Sequence, residues 1–421
     1  MIDTGDNAWV LASSALVLLM TPGLAFFYGG LVPGRSNVLG TIMHSFVIVA
    51  LISVLWVLWG YTLAFGPDVG HIIGKLDWFG LNGVGPEPGP YSKTLPHYTF
   101  MAFQMMFAII TPALITGAMV GRIKFKTFLV FTVLWSTLVY APIAHWVWGG
   151  GWLSNLSLIG LGFKGDVPAG YSNGALDYAG GTVVHISSGV SALAAAIVLG
   201  RRRKYGAEPD VPHNIPFVIL GAALLWFGWF GFNAGSALAA NGAAANAFVT
   251  TNTAAAMGAL TWMTMSWWRG GAPSVVGAAS GAVAGLVAIT PAAGFVGPMH
   301  AILIGLGAGV FCYLATHLRR GMRVDDTLDV FACHGVGGTW GALATGLFAV
   351  AGVGGINGLF SGNPGQLLNQ FVAVVASWVW AFGMTFVLLK VLDKVMGLRV
   401  TEQHEAVGLD ISQHGEPAYT P

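Results

Sequence analysis

From its first residue the chain is a succession of long apolar runs separated by short polar breaks. A helix needs about 20 apolar residues to cross roughly 30 Å of hydrocarbon. Eleven runs are read as spans: 7–31, 38–66, 97–121, 125–149, 177–200, 214–239, 246–268, 274–293, 298–318, 330–352 and 366–396. Glycine, alanine and proline dilute the fifth, sixth and eighth. None alternates apolar and polar residues with period two, so spanning strands are not indicated. The pattern predicts an all-α polytopic membrane protein with eleven transmembrane helices.

Composition strengthens this reading. Charged residues make up 8% of the 421 and hydrophobic ones 55%, against about 25% charged in an ordinary globular domain. Eighteen basic and 17 acidic residues cannot coat the two or three soluble domains that the length would otherwise suggest. The 61 glycines and 16 tryptophans suit close helix packing and membrane interfaces. Collagen, coiled coil and disorder are excluded, because there is no Gly-X-Y period, charged heptad or long polar tract. A net charge of +1 without a basic stripe gives no reason to expect nucleic acid. Cys312 and Cys333 lie in apolar stretches and read as small buried hydrophobes, not as a disulfide or metal ligands. The N-terminus MIDTGDN lacks the basic region of a cleavable signal, so the first run is expected to remain as a span.

The basic residues sort onto one face. With the N-terminus outside, the cytoplasmic segments hold Arg35; Arg122, Lys124 and Lys126; Arg201, Arg202, Arg203 and Lys204; Arg269; Arg319, Arg320 and Arg323; and Lys390, Lys394 and Arg399. That is 15 of 18, leaving Lys75, Lys93 and Lys164 outside. The bias follows the positive-inside rule. It places the polar segment 397–421 in the cytoplasm and the first 396 residues in the lipid of a cell (inner, plasma) membrane.

An internal repeat is visible. AIITPA at 108–113 in the third span returns as AITPA at 288–292 in the eighth. His185-x3-Gly189 in the fifth returns as His334-x3-Gly338 in the tenth, each followed by an Ala-Leu pair and preceded by an aspartate, Asp177 or Asp329. The offset of five spans is odd, so the halves, about 7–200 and 214–352, are inverted in the bilayer. Inverted repeats place a site near the midplane at their interface. The eleventh helix, 366–396, has no partner and is expected to brace the bundle.

His185 and His334 are the centre of the candidate chemistry. Polar side chains inside a membrane are costly unless they face a cavity or a partner. Each imidazole could bond the other, a permeant, or a serine or carbonyl; bis-histidine haem is a further reading. Asp177, at the start of the fifth span, suits a helix cap or a nearby stabiliser of a cation, and Asp329 suits a cap. Phe103 and Phe107, at i and i+4, share a face of the third span. The sixth span offers Trp229, Phe232, Asn233 and Ser236, and Trp148 precedes three glycines at the end of the fourth. A tryptophan ring beside polar groups could hold a small cation.

These residues sit in stretches that closely resemble the Amt/Mep/Rh ammonium transporter family, on its Amt branch. They are FYGGLV at 27–32, FQMMFAIITPALI at 103–115, APIAHWVWGGG at 141–151, DYAGGTVVHISSG at 177–189, WFGWFGFNAGSA at 226–237, GAVAGLVAITPAAG at 281–294 and DVFACHGVGG at 329–338. The tail GLRVTEQHEAVGLDISQHGEPAY at 397–419 matches too, so the resemblance covers nearly the whole chain. It implies a homotrimer that transports ammonium or methylammonium for nitrogen uptake, with one pore per subunit and no cofactor. Phe103, Trp148 and Ser236 would recruit the cation, and Phe107 and Phe232 would form a stacked gate. Asp177 would be the essential acid, with Trp229 and Asn233 in support, and His185 and His334 would line the lumen. The resemblance also implies a regulatory tail that packs on a neighbouring subunit and helps a PII-type signalling protein to dock. A sensor, a haem protein and an Rh-type gas channel are the alternatives.

Overall fold

The computed structural model describes residues 1–161, 167–207 and 210–419; the assignment of Lys164 to the outer face lies outside the described residues. Helix occupies each predicted run: α1 (Thr4–Leu31), α2 (Val38–Phe65), α3 (His97–Ala118), α4 (Phe125–Val147), α5 (Gly181–Leu199), α6 (Ile215–Ala237), α7 (Gly242–Gly270), α8 (Val275–Ile289), α9 (Pro298–Met322), α10 (Phe331–Val336 continuing as Gly337–Phe348) and α11 (Pro364–Met396). Eight of these are long and apolar enough to cross a membrane, α5 and α6 among them. The dilution expected in the fifth and sixth runs therefore does not weaken them. The less apolar helices are α7, which is rich in alanine, threonine and asparagine, and α10, which opens on a histidine turn. α8 has only 15 residues, because Thr290-Pro291 ends it: proline lacks the amide hydrogen and restricts the residue before it.

α5 and α10 show the repeat in their packing. Both open with a π-helical turn, Gly181–Ile186 and Phe331–Val336, and each turn holds one of the two histidines. The glycine four residues after each histidine rests on the opposite histidine turn. A Cβ on Gly189 would come within 2.0 Å of Gly335 N, and one on Gly338 within 2.9 Å of His185 Cβ. Such reciprocal contact is the mark of a two-fold relation, and only glycine permits the approach.

α11 ties the halves together from the side. Its Gln370 amide donates to the Leu176 and Ala342 carbonyls at 2.8 and 3.0 Å. Farther along, the Trp135 indole donates to Thr385 and Ser191 at 3.0 and 2.9 Å. The opposite side of α11 exposes Val379, Val387, Val391 and Val395, as a helix bordering lipid would.

The N-terminus lies on one face of the bundle and the tail on the other, called here the N-terminal and C-terminal faces. The described tail is ordered against the rest of its own chain. Asp410 accepts from Val38 N and Gly40 N at 3.0 and 2.8 Å, capping α2 from a distant part of the chain. Arg399 donates to the Leu199 and Arg201 carbonyls and pairs with Glu405 at 2.6 Å. The expectation of a tail leaning on a neighbouring subunit therefore meets a tail already anchored to α2 and the 199–203 turn of its own chain. Below α3, the buried Arg122 guanidinium holds Asp325 at 3.2 Å, and Arg202 grips the same carboxylate with Nε at 2.9 Å and a terminal nitrogen at 3.0 Å.

Candidate functional site

A cavity of about 330 Å³ opens at the N-terminal face between α3, the end of α4 and the end of α6, walled in part by Gln104, Phe107, Trp148, Tyr178 and Ser236. Ser236 lies in the short turn Gly235–Ala237, past the last α-helical turn of α6. Its hydroxyl hydrogen goes to the Phe232 carbonyl at 2.8 Å, so the oxygen presents lone pairs to the cavity. A helix C-terminus carries partial negative charge, so this corner favours a cation that donates hydrogen bonds. The Trp148 indole N–H is engaged with the Asp177 carbonyl at 2.8 Å, which fixes the ring while its face stays open.

Phe103 is placed one layer back. It is fully buried and meets Phe107 edge to face at 5.0 Å. Its neighbour Gln104 supplies the wall instead, about nine-tenths buried and with Oε1 lacking a partner. Sequence reasoning passed over Gln104, although a glutamine inside an apolar helix was a usable signal.

Beneath the cavity Phe107 and Phe232 stack, with centroids 4.3 Å apart and planes 25° from parallel. Below them lies His185, stacked on Trp229 at 5.4 Å. The two histidines face each other with their Nδ1 atoms 3.2 Å apart. Thr290 sets their hydrogen positions. Its hydroxyl donates to the Leu286 carbonyl at 2.7 Å, so its oxygen accepts from Trp229 Nε1 at 2.9 Å and from His185 Nε2 at 3.3 Å. With Nε2 of His185 a donor, the neutral ring's Nδ1 is an acceptor, and His334 donates to it from Nδ1. His334 Nε2 is then left with a lone pair. Thr290 belongs to the repeated ITPA stretch, whose recurrence marks the repeat without pointing to a role for its side chain.

Asp177 acts as a cap. Its oxygens accept from Gly180 N and Gly181 N at 2.9 and 2.5 Å, from Thr182 N and Val183 N at 2.9 and 3.2 Å, and from the Thr182 hydroxyl. In the second half this place is taken by Asp326 and not by the expected Asp329. Asp326 accepts from Phe331 N at 2.7 Å, while Asp329 pairs with Arg319 at 2.7 Å. Asp326 precedes His334 by eight residues, as Asp177 precedes His185, and that spacing was readable in the sequence. Asn233 lies away from the cavity, fully buried, donating to Thr251 at 2.9 Å and so joining α6 to α7. On the C-terminal side a second cavity, of about 390 Å³, reaches Cys333 beside the histidine pair and is bordered by Ser280, His317 and Asp329. No cluster of metal-ligating side chains occurs among the described residues.

Two cavities separated by a stacked aromatic pair and a buried pair of imidazoles, inside a bundle of inverted repeats, define a membrane transporter and not an enzyme. The chain belongs to the Ammonium Transporter Family, whose model matches residues 8–419. An ammonium transporter of Bacillus subtilis is 51% identical over 418 residues, covering 99% of this chain and 98% of the relative. The crystal structure of Saccharomyces cerevisiae Mep2 superposes with a TM-score of 0.85 at 37% identity, covering 95% of this chain and 88% of Mep2. A solved protein titled Sensor Amt Protein matches with a TM-score of 0.85 at 29% identity, over 97% of this chain and 98% of its own. Ammonium transport is thus the function that the family match and the curated relative support for this chain.

Proposed function

We propose that the protein takes up ammonium at the N-terminal face, removes its proton near the aromatic seal and passes ammonia along the two histidines. The observation that carries this reading is the facing Nδ1–Nδ1 pair at 3.2 Å, placed directly below the 4.3 Å Phe107–Phe232 stack. Ammonium and potassium are alike in charge and size, so a simple cation pore would not separate them. Ammonium alone has N–H donors and a removable proton. Ser236 reads the donors through its free lone pairs, and the Trp148 ring attracts the charge. Phe107 and Phe232 bar hydrated ions, with Phe103 holding Phe107 in place. Beyond them a bare cation meets a high desolvation cost that neutral ammonia escapes. The lone pair on His334 Nε2 offers ammonia an acceptor in an otherwise apolar passage. Asp177 fixes the turn that aims His185, Trp229 stacks on that ring, and Asn233 holds α6 against α7.

The same reading places the N-terminal face outside and the tail in the cytoplasm of the plasma membrane, as the basic-residue bias requires. Three subunits would assemble with a separate pore in each. The tail 397–421 would regulate transport by gripping α2, and it offers a surface where a PII-type protein could engage.

The test is uptake of methylammonium into proteoliposomes. His185→Ala and His334→Ala are each expected to abolish it, and the double variant is expected to admit potassium. Exclusion of potassium by the double variant at the wild-type level would overturn the lumen mechanism.

A further inference from the structure

His145, on the last turn of α4 three residues before Trp148, has no exposed surface and has an acceptor at each ring nitrogen. Nδ1 lies 2.9 Å from the Ala64 carbonyl, and Nε2 lies 3.0 Å from Asp68 Oδ1. A carbonyl oxygen only accepts, so Nδ1 must bear hydrogen. Asp68 also faces His71, whose Nδ1 is 2.8 Å from Oδ2, close enough to interact although outside hydrogen-bond geometry. Burial pushes the Asp68 carboxyl up, but the hydrogen bond from His145 and the two nearby imidazoles outweigh this and hold it below the usual carboxylate range. An ionised Asp68 accepts too, so Nε2 must also bear hydrogen. No neutral tautomer satisfies both contacts.

The segment around His145 is tied to the entrance. Gly149 N and Gly151 N donate to the His145 carbonyl at 3.0 and 2.9 Å, and Trp152 N donates to the His71 carbonyl at 3.1 Å. A Cβ on Gly149 would fall 2.1 Å from the Ala64 carbonyl and 2.6 Å from His145 Nδ1, so the turn after Trp148 closes directly over the imidazole. Tyr91, from the segment before α3, adds a hydroxyl bond to the Phe65 carbonyl at 2.7 Å, and the Trp148 indole bonds the carbonyl of Asp177. The ionisable groups around this corner are therefore Asp68, His71, Tyr91 and, through Trp148, Asp177.

We propose that His145 is a buried imidazolium paired with Asp68, and that this ion pair is the positioning element that holds Trp148 in place to receive ammonium. The role at Trp148 rests on the reading of this cavity as the ammonium entrance; the protonation of His145 does not. Without the second hydrogen, one of the two contacts turns repulsive and the Trp148 turn loses its anchor. Loosening would weaken capture of the cation and leave passage along the histidines unchanged.

The experiment has two arms. In nitrogen-15 NMR of the full-length protein, with the His145 signal assigned by its absence in His145→Gln, both ring nitrogens are expected in the protonated range at about pH 7.5. One protonated and one bare nitrogen would overturn the proposal, whatever the protein transports. In proteoliposomes, Asp68→Asn is expected to raise the KM for methylammonium about tenfold with kcat nearly unchanged, about the effect of losing one charge-assisted hydrogen bond. A variant with the wild-type KM, or one whose kcat falls while KM stays unchanged, would overturn the positioning role even where the NMR arm succeeds. If His145→Gln fails to fold, His71→Gln removes the signal of the other imidazole beside Asp68, and the remaining histidine signal that shifts in Asp68→Asn supplies the assignment.

Discussion

At the head of α5, Asp177 collects four backbone N–H groups and the Thr182 hydroxyl. At the head of α10, Asp326 stands at the same eight-residue distance from its histidine, yet its Oδ1 is buried without a hydrogen-bond partner. Burial pushes the Asp326 carboxyl up to about 6, with Arg319 drawing it down and Asp329 raising it again. The residue five places after each aspartate differs: Thr182 in one half, Phe331 in the other. The two-fold relation therefore governs the backbone, the π turns and the glycine contacts, while single side chains make the halves chemically unlike. The aromatic seal is a second asymmetry, because Phe107 and Phe232 lie on the N-terminal side of the histidines. The cavity on the other side, bordered by His317 and Asp329, reaches Cys333 beside the pair.

The strongest way to break this comparison is to remove both caps. Asp177→Ala strands a cluster of buried N–H groups, each costing about 1–3 kcal/mol, and is expected to abolish uptake and lower thermal stability severely. Asp326→Ala gives up fewer bonds and should cost about 1–3 kcal/mol. Thermal unfolding in detergent, with uptake measured in parallel, checks the order; equal losses would show that the extra donors on Asp177 add nothing. The next effect is in pH. A carboxyl raised to about 6 in the fold favours folding in its neutral form. That contribution is complete below the unfolded value of about 3.9 and is lost as pH rises through about 6. Wild type should lose up to about 3 kcal/mol over that window relative to Asp326→Asn, which has no such titration. Neighbouring Asp325 pulls the other way. Burial would raise its carboxyl, but Arg122 and Arg202 hold it low. The difference between wild type and Asp326→Asn is therefore the quantity to measure, and parallel stability curves for the two would overturn the assignment.

Much of this was legible in the sequence because membrane helices are long and their punctuation is strong. The span positions, the paired histidines and the aromatic set all follow from hydropathy, spacing and resemblance. What stayed hidden depends on side chains meeting across the fold. Asp329 is the aspartate nearer His334, whereas the eight-residue spacing that Asp177 keeps from His185 singles out Asp326. Gln104 was hidden behind the more conspicuous Phe103, and which of the two faces the cavity depends on the rotation of α3, which hydropathy does not fix in so apolar a helix. Thr290 bonds His185 only because the break at Pro291 brings the end of α8 to the start of α5. The anchoring of α2 by Asp410 spans some 370 residues of chain and leaves no local trace.

The smallest test narrows the comparison to one hydroxyl. Thr182→Val keeps the shape of the side chain and deletes its hydrogen bond to Asp177, bringing the cap of α5 closer to that of α10. Oδ2 retains the Thr182 and Val183 amides, so the cost should fall near the lower end of a charged hydrogen bond, about 1.5 kcal/mol. A double-mutant cycle with Asp177→Asn separates this bond from packing. If the hydroxyl acts on the carboxylate charge, the two substitutions should couple by about 1 kcal/mol in thermal stability, since the neutral amide accepts a weaker bond. Additive effects would mean that Thr182 serves only to fill space. The halves would then differ through the neighbourhood of Asp326, with Arg319 and Asp329 in place of a hydroxyl donor.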